Sequence, residues 1–127
     1  MKLNVDCIRD ILLTVEASPF NAFFTCKILE KELPSYTEYE IWYNVLKLHE
    51  AKFITAKTKE SKFSHLPEVE LITDITYKGH EFLNTVREVS IWNHVKNICH
   101  TIGSSSVHTM FEIGKTIISE CIKKHIK

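Results

Sequence analysis

The stretch ITDITYKGHEFL, Ile72 to Leu83, changes character halfway along. Its first half alternates apolar and β-branched residues, as a strand does. Its second half reads as a helix starting near Thr76, with Phe82, Leu83 and then Val86 as its apolar contacts. Gly79 falls in the first turn of that helix, where a missing Cβ allows close packing on a sheet. A strand over Val69–Thr76 needs a partner. Phe53–Lys57, with Ile54 and Ala56 at alternate positions, supplies one. Lys57, Lys59 and Lys62 follow that first strand, so the pair reads as a hairpin with a long basic tip.

Upstream of the hairpin, TEYEIWYNVLKLHEAKFI carries the clearest helix start in the chain. Thr37 and Glu40 have capping-box spacing: the hydroxyl accepts from a free N–H, and the carboxylate reaches back to the cap N–H. Ile41, Val45 and Leu48 share one face, with Trp42, Leu46 and His49 alongside, and Trp42 is expected in the core. The outer face is expected to carry Glu40, Tyr43, Asn44 and Lys47. Further upstream, NVDCIRDILLTVEA reads as a first helix capped by Asn4 and closed at Ser18-Pro19. Between these two helices, Phe23 to Leu29 fits a short strand or a short helix, and Leu33-Pro34 breaks it.

Downstream, SIWNHVKNICHTI reads as a helix capped by Ser90, with Ile91, Val95, Ile98 and Ile102 on one face and Trp92 and Cys99 beside it. Gly103 and the serines interrupt it, and one of Ser104 to Ser106 caps the next helix. That final segment, VHTMFEIGKTIISECIKKHIK, predicts a helix of about 20 residues, roughly 30 Å long. Val107, Met110, Phe111, Gly114, Ile117, Ile118, Cys121 and Ile122 form its stripe. Lys123, Lys124 and Lys127 complement its negative C-terminal end.

The order helix, short element, helix, hairpin, helix is similar to the winged-helix plan. EIWYNVLKLHEAKFI, with a hairpin ending in LITDITYKGHEFL, resembles the recognition helix, wing and closing helix of small bacterial winged-helix proteins. MKLNVDCIRDILLTVE, EYEIWYNVLKLHEAKFI, ITDITYKGHEFL and the downstream IW…VK resemble a domain-of-unknown-function family of small uncharacterised proteins carried by bacteria, prophages and phages. YjcQ-like winged-helix proteins are looser relatives. The resemblance runs from Met1 to about Lys96 and continues less distinctly through TIGSSSVHTMFEIGKTIIS. It implies a fold and a phage-related setting, and no established activity or functional residues. The expected class is α+β, mostly α. A winged helix-turn-helix-like domain with a two- to three-stranded wing sheet occupies residues 1–89. Two C-terminal helices over 90–127 pack on it and are candidates for mediating oligomerisation.

Composition bounds the function. A chain of 127 residues, 44% apolar and 25% charged, suits one globular domain. Sixteen basic and sixteen acidic residues give a net charge of zero, which argues against a dedicated nucleic-acid binder. No apolar run reaches membrane-spanning length. Lys2, Asp6, Arg9 and Asp10 make the N-terminus unlike a signal peptide. A cytoplasmic location without membrane attachment is therefore expected. Cys7, Cys26, Cys99 and Cys121 form no CxxC pair and read as reduced, buried thiols. Gly79, Gly103 and Gly114 lie too far apart for a phosphate-cradling loop. His108 with Glu112, and Cys121 with His125, are one helical turn apart, but nothing supplies the matched second pair that a closed zinc site needs. No enzyme activity, metal or cofactor is expected.

Two functional readings remain. In the DNA reading, the helix before the wing presents Thr37, Glu38, Glu40, Tyr43, Asn44 and Lys47, with Asn44 suited to adenine and Lys47 to guanine. Lys57, Lys59 and Lys62 would then meet phosphates. Glu38 and Glu40 oppose this, and Tyr36 to Ser90 holds seven basic against nine acidic residues. In the favoured reading, the chain is a non-enzymatic protein-interaction module of phage or prophage type that modulates a host or defence protein. Tyr39, Tyr43 and Trp42, on the same helix, are its candidate aromatic anchors, although Trp42 is expected in the core. The protein partner has no signature in the sequence. Homo-oligomerisation through Met110, Phe111, Gly114, Ile117, Ile118 and Ile122 is compatible with either reading.

Overall fold

Side-chain caps start most of the helices, and the structure, a computed structural model, describes residues 1–62, 65–103 and 106–126. Asn4 accepts from the Cys7 N–H at 3.1 Å and opens α1, Val5–Glu16. Thr25 accepts from the Ile28 N–H at 3.2 Å and opens α2, Cys26–Glu32. Thr37 and Glu40 close the expected capping box at the start of α3, Glu38–Glu50. The hairpin comes next as β1, Ile54–Lys59, and β2, Glu68–Ile75. Then come α4 (Tyr77–Val86), α5 (Val89–Ile102) and α6 (Val107–Ile126). The protein is thus α+β and mostly helical, with six helices and one two-stranded antiparallel sheet among the described residues. Ser104, Ser105 and Lys127, two candidate caps and one candidate end charge, lie outside those residues. Ser106 does cap α6, accepting from the Thr109 N–H at 3.3 Å.

The chain divides into two compact units, residues 1–80 and 81–127, which part inside α4 rather than at the loop after it. In the first unit, the buried faces of α1 (Cys7, Ile8, Ile11, Leu12, Val15) and α3 (Ile41, Val45, Leu46, Leu48) form the core, with Leu29, Ile54, Val69, Ile72 and Ile75. The ambiguous stretch Phe23–Leu29 resolves into both alternatives in succession. Phe24 exchanges two backbone hydrogen bonds with Ile72, at 3.1 and 2.7 Å, as an isolated bridge. One residue later Thr25 caps α2. A third strand is therefore reduced to a single residue.

β2 departs from simple alternation. Its buried residues are Val69, Ile72 and Ile75, spaced by three. The register explains this: Thr55 faces Asp74 but Ala56 faces Ile72, and Lys57 faces Leu71 but Thr58 faces Val69. Thr73 and Glu70 are therefore unmatched in β1. Each bulge inserts one residue and returns the next apolar side chain to the core face.

The joint between hairpin and helix is tight. The Thr76 N–H donates to the Phe53 carbonyl at 3.0 Å, and its hydroxyl donates to the Lys52 carbonyl at 2.6 Å while accepting from the Gly79 N–H at 3.0 Å. A Cβ at Gly79 would lie 2.2 Å from the Phe53 carbonyl oxygen. The expected close packing of Gly79 on the hairpin is what the backbone shows.

In the second unit, Phe82, Leu83, Val86, Trp92, Val95, Cys99 and Met110 are buried. Phe111 packs edge-on against Phe82, with ring centroids 6.3 Å apart. Two local expectations are corrected. The cap of α5 is Glu88, whose carboxylate accepts from the Ile91 N–H at 3.2 Å, and Ser90 donates its hydroxyl to that same carboxylate. A carboxylate at the cap also complements the positive helix end, so it displaces the serine. The buried face of α5 is Trp92, Val95 and Cys99, which leaves Ile91 and Ile98 half-buried and Ile102 exposed. The large indole carries that face inward and rotates the helix away from the isoleucine stripe. Among the described residues no helix is long and apolar enough to cross a membrane.

Candidate interaction groove

The N-terminal turn of α3 is held by a network that reaches α1. Glu40 divides its carboxylate: Oε1 accepts from the Thr37 N–H at 3.1 Å and Oε2 accepts from the Asn4 side chain at 2.8 Å. These bonds hold the Glu40 carboxyl below its ordinary value, the Asn4 bond contributing most. Asn44 completes the network. Its Oδ1 accepts from the Asn4 backbone N–H at 3.1 Å and its Nδ2 donates to the Glu40 carbonyl at 2.8 Å. The expectation of Asn44 on the outer face is therefore overturned, because the side chain is 1% exposed. A buried amide whose donor and acceptor are both engaged cannot reach a base edge. Cys7 lies in this region, and burial, with the nearby Glu40 and Asp10 charges, pushes its thiol up to about 12.

With that turn fixed, its remaining side chains face outward over a groove of about 640 Å³. Glu38, Tyr39 and Trp42 from α3 form one wall, Thr25, Cys26, Lys27 and Glu30 the second, and Lys59, Ser61, Glu68, Val69 and Glu70 the third. Tyr39 is 70% exposed. Trp42, expected in the core, is only half-buried and turns one side to the groove. Cys26 is half-buried, and burial, then the Glu30 and Glu68 charges, raise its thiol to about 11, so it stays protonated at neutral pH. Lys59 lies 3.7 Å from Glu68. Among the described residues Glu30, Glu38 and Glu70 have no ion pair, and Lys27 is the one lining cation without one. The rim is therefore acidic and the floor apolar.

The other candidate residues are dispersed. Thr37 is exposed and occupied as a cap. Tyr43 is half-buried beneath the Lys47 ammonium, 5.1 Å from its ring centre. Lys47 pairs with Glu50 at 2.8 Å, which raises its pKa. Lys57 and Lys62 are exposed, and the expected basic tip begins within β1. In α6, Met110 and Gly114 are buried, with Gly114 against Thr85. Phe111, Ile117 and Ile118 are half-buried and Ile122 is 51% exposed. Of the four thiols expected to be buried, Cys7 and Cys99 are, Cys26 is half-buried, and Cys121 is exposed because it lies in the uncovered last turns of α6. Among the described residues, no group of three or more His, Cys, Asp or Glu side chains could hold a metal ion.

Of the residues lining the groove, Glu38, Tyr39 and Lys59 were sequence candidates and Trp42 was assigned to the core, whereas the α2 wall and Glu68, Val69 and Glu70 were missed. The available signal was two acidic residues flanking a single apolar one in a strand, opposite an exposed tyrosine. What the sequence lacked was the bridge at Phe24, which brings α2 to that edge.

Residues 2–106 match the family described as "Hypothetical protein (DUF2513)". An uncharacterised protein of Haemophilus influenzae is 30% identical over 127 residues, covering 96% of this chain and 99% of its own length. No solved structure matches significantly. The match over most of the chain establishes that it belongs to the DUF2513 family.

Proposed function

We propose that the chain is a non-enzymatic protein-interaction module, built on a winged-helix plan and working in a phage or prophage setting, where it would modulate a host or defence protein. The observation that carries this reading is the groove between α2, α3 and β2: an apolar floor with exposed Tyr39 and an acidic rim. Exposed aromatic side chains anchor interfaces, and carboxylates select cationic segments. The same carboxylates repel phosphate. Of the cations named for DNA contact, Lys47 and Lys59 face carboxylates of their own.

DNA binding is the second reading, favoured by exposed Lys57 and Lys62 on the hairpin. Self-association through the half-buried Ile117 and Ile118 and the exposed Ile122 is compatible with both readings. A charged substitution at Ile117 would dissociate such an oligomer. A wild-type solution mass of one chain removes it.

The test compares wild-type protein with Tyr39→Ala and Glu38→Lys as baits in a cell lysate, beside fluorescence anisotropy with random duplex DNA at about 50 and 200 mM salt. The interaction reading expects a species held by wild type and lost with both variants, and no DNA binding at either salt. DNA binding that is tight at low salt, collapses at high salt and weakens on Lys57→Ala overturns it.

A further inference from the structure

Phe24 pairs with Ile72 on the edge of β2 away from β1, through both backbone hydrogen bonds. The pairing is antiparallel, so two residues further on Cys26 would face Glu70. It does not, because Thr25 caps α2 and the chain turns into a helix. Beyond the bridge, among the described residues, no strand pairs with that edge of β2 at Glu68–Glu70. Those residues also line the groove, and Glu70 is unmatched in the register of β1. An unpaired edge is a template for another extended chain, and here, after Pro67, its charged side chains are the acidic Glu68 and Glu70. The apolar side chains along the same groove, Val69, Trp42 and Tyr39, offer sites for alternate residues of a strand. Among the described residues, the lining carboxylates without an ion pair, Glu30, Glu38 and Glu70, outnumber the one such lining cation, Lys27. An occupant with alternating apolar and basic side chains meets both features.

We infer that this groove takes an extended peptide segment of alternating apolar and basic residues, which adds to the outer edge of β2 and continues the line that Phe24 begins. The inference rests on the reading of the groove as the interaction site and names its occupant. A strand of this kind turns its apolar side chains to Trp42 and Val69 and its ammonium or guanidinium groups to the acidic rim. Its main chain bonds to β2.

The probe is a capped peptide of about six residues alternating valine and lysine, long enough to span the free edge. Binding is read by amide shifts of the isotope-labelled full chain and by anisotropy of the labelled peptide. Expected shifts centre on Val69–Ile72 and the Trp42 indole. Replacing the lysines of the probe by glutamate weakens binding at least tenfold. So does the triple variant Glu30→Gln, Glu38→Gln, Glu70→Gln, whereas Glu50→Gln, outside the groove, leaves it unchanged. The decisive pair is backbone methylation. Alternate N–H groups of a strand point to opposite edges, so N-methylating one alternate set abolishes binding and methylating the other leaves it within about threefold. If both methylated peptides bind as well as the parent, while Tyr39 and Trp42 still shift, strand addition is overturned and the groove reading stands. No binding at about 1 mM also overturns strand addition. The groove reading is then decided separately, by whether Tyr39→Ala and Glu38→Lys lose the captured partner.

Discussion

Helices α3 and α6 carry similar apolar stripes in the sequence and meet different ends in the structure. In α3, Ile41, Val45 and Leu48 are no more than 1% exposed, and the helix buries a polar residue, Asn44, as well. In α6, Met110 is 2% exposed, Ile117 and Ile118 are half-buried, and Ile122 is 51% exposed. Periodicity reports that a face is apolar and says nothing about what covers it. Cover comes from other elements: α1, α2 and the hairpin pack around α3. The last turns of α6 run beyond the residues that bury its start.

The sharpest way to break the comparison is to truncate the same residue type in both helices. Ile41→Ala removes three carbons from a fully enclosed site and is expected to cost about 4 kcal/mol, read as a loss of midpoint in urea with unchanged slope. A loss below about 1 kcal/mol would mean that α3 is not the packed centre of the first unit.

Asn44→Ala is expected to cost about 2 kcal/mol, because the Asn4 N–H loses its acceptor in a part-buried site. Amide exchange at Asn4 should accelerate with it. A neutral outcome would place Asn44 on the outer face after all.

Glu40 tests the electrostatic side of the same network. Its carboxyl sits below the ordinary value in the folded chain, so its stabilisation is full above about pH 4.5 and disappears as pH falls through the lowered value. Glu40→Gln should therefore be less stable than wild type at pH 7, with the gap closing toward acid. A gap that is constant with pH, measured by denaturation at several pH values, would show that the charge contributes nothing.

The helices other than α2, the hairpin and the joint at Gly79 were legible in the sequence because each rests on local chemistry: caps, breaks and a glycine that meets the Phe53 carbonyl. The candidate groove was legible only in part. Glu38 and Tyr39 lie next to an evident cap, whereas the α2 wall reaches the site through the Phe24–Ile72 bridge, a contact between residues 48 apart in the chain. Three-residue spacing in β2 arises from bulges that no alternation rule registers. Asn44 misled for the opposite reason: its type suggests surface, and the Asn4 N–H and Glu40 carbonyl that satisfy it lie on the helix flank facing α1.

The smallest effect belongs to Ile122→Ala. At half exposure the side chain loses little contact on truncation, and alanine is a better helix former than isoleucine. The expected change in stability lies within about 0.5 kcal/mol at low protein concentration. The informative variable is concentration. If a second copy covers this turn, association stabilises the folded chain by mass action, and the wild-type melting temperature rises with concentration while that of Ile122→Ala rises less. If the turn faces only water, both melting temperatures are independent of concentration and the two proteins unfold together. Parallel curves at every concentration would leave Ile41 and Ile122 as the two extremes of one residue type, separated by cover alone.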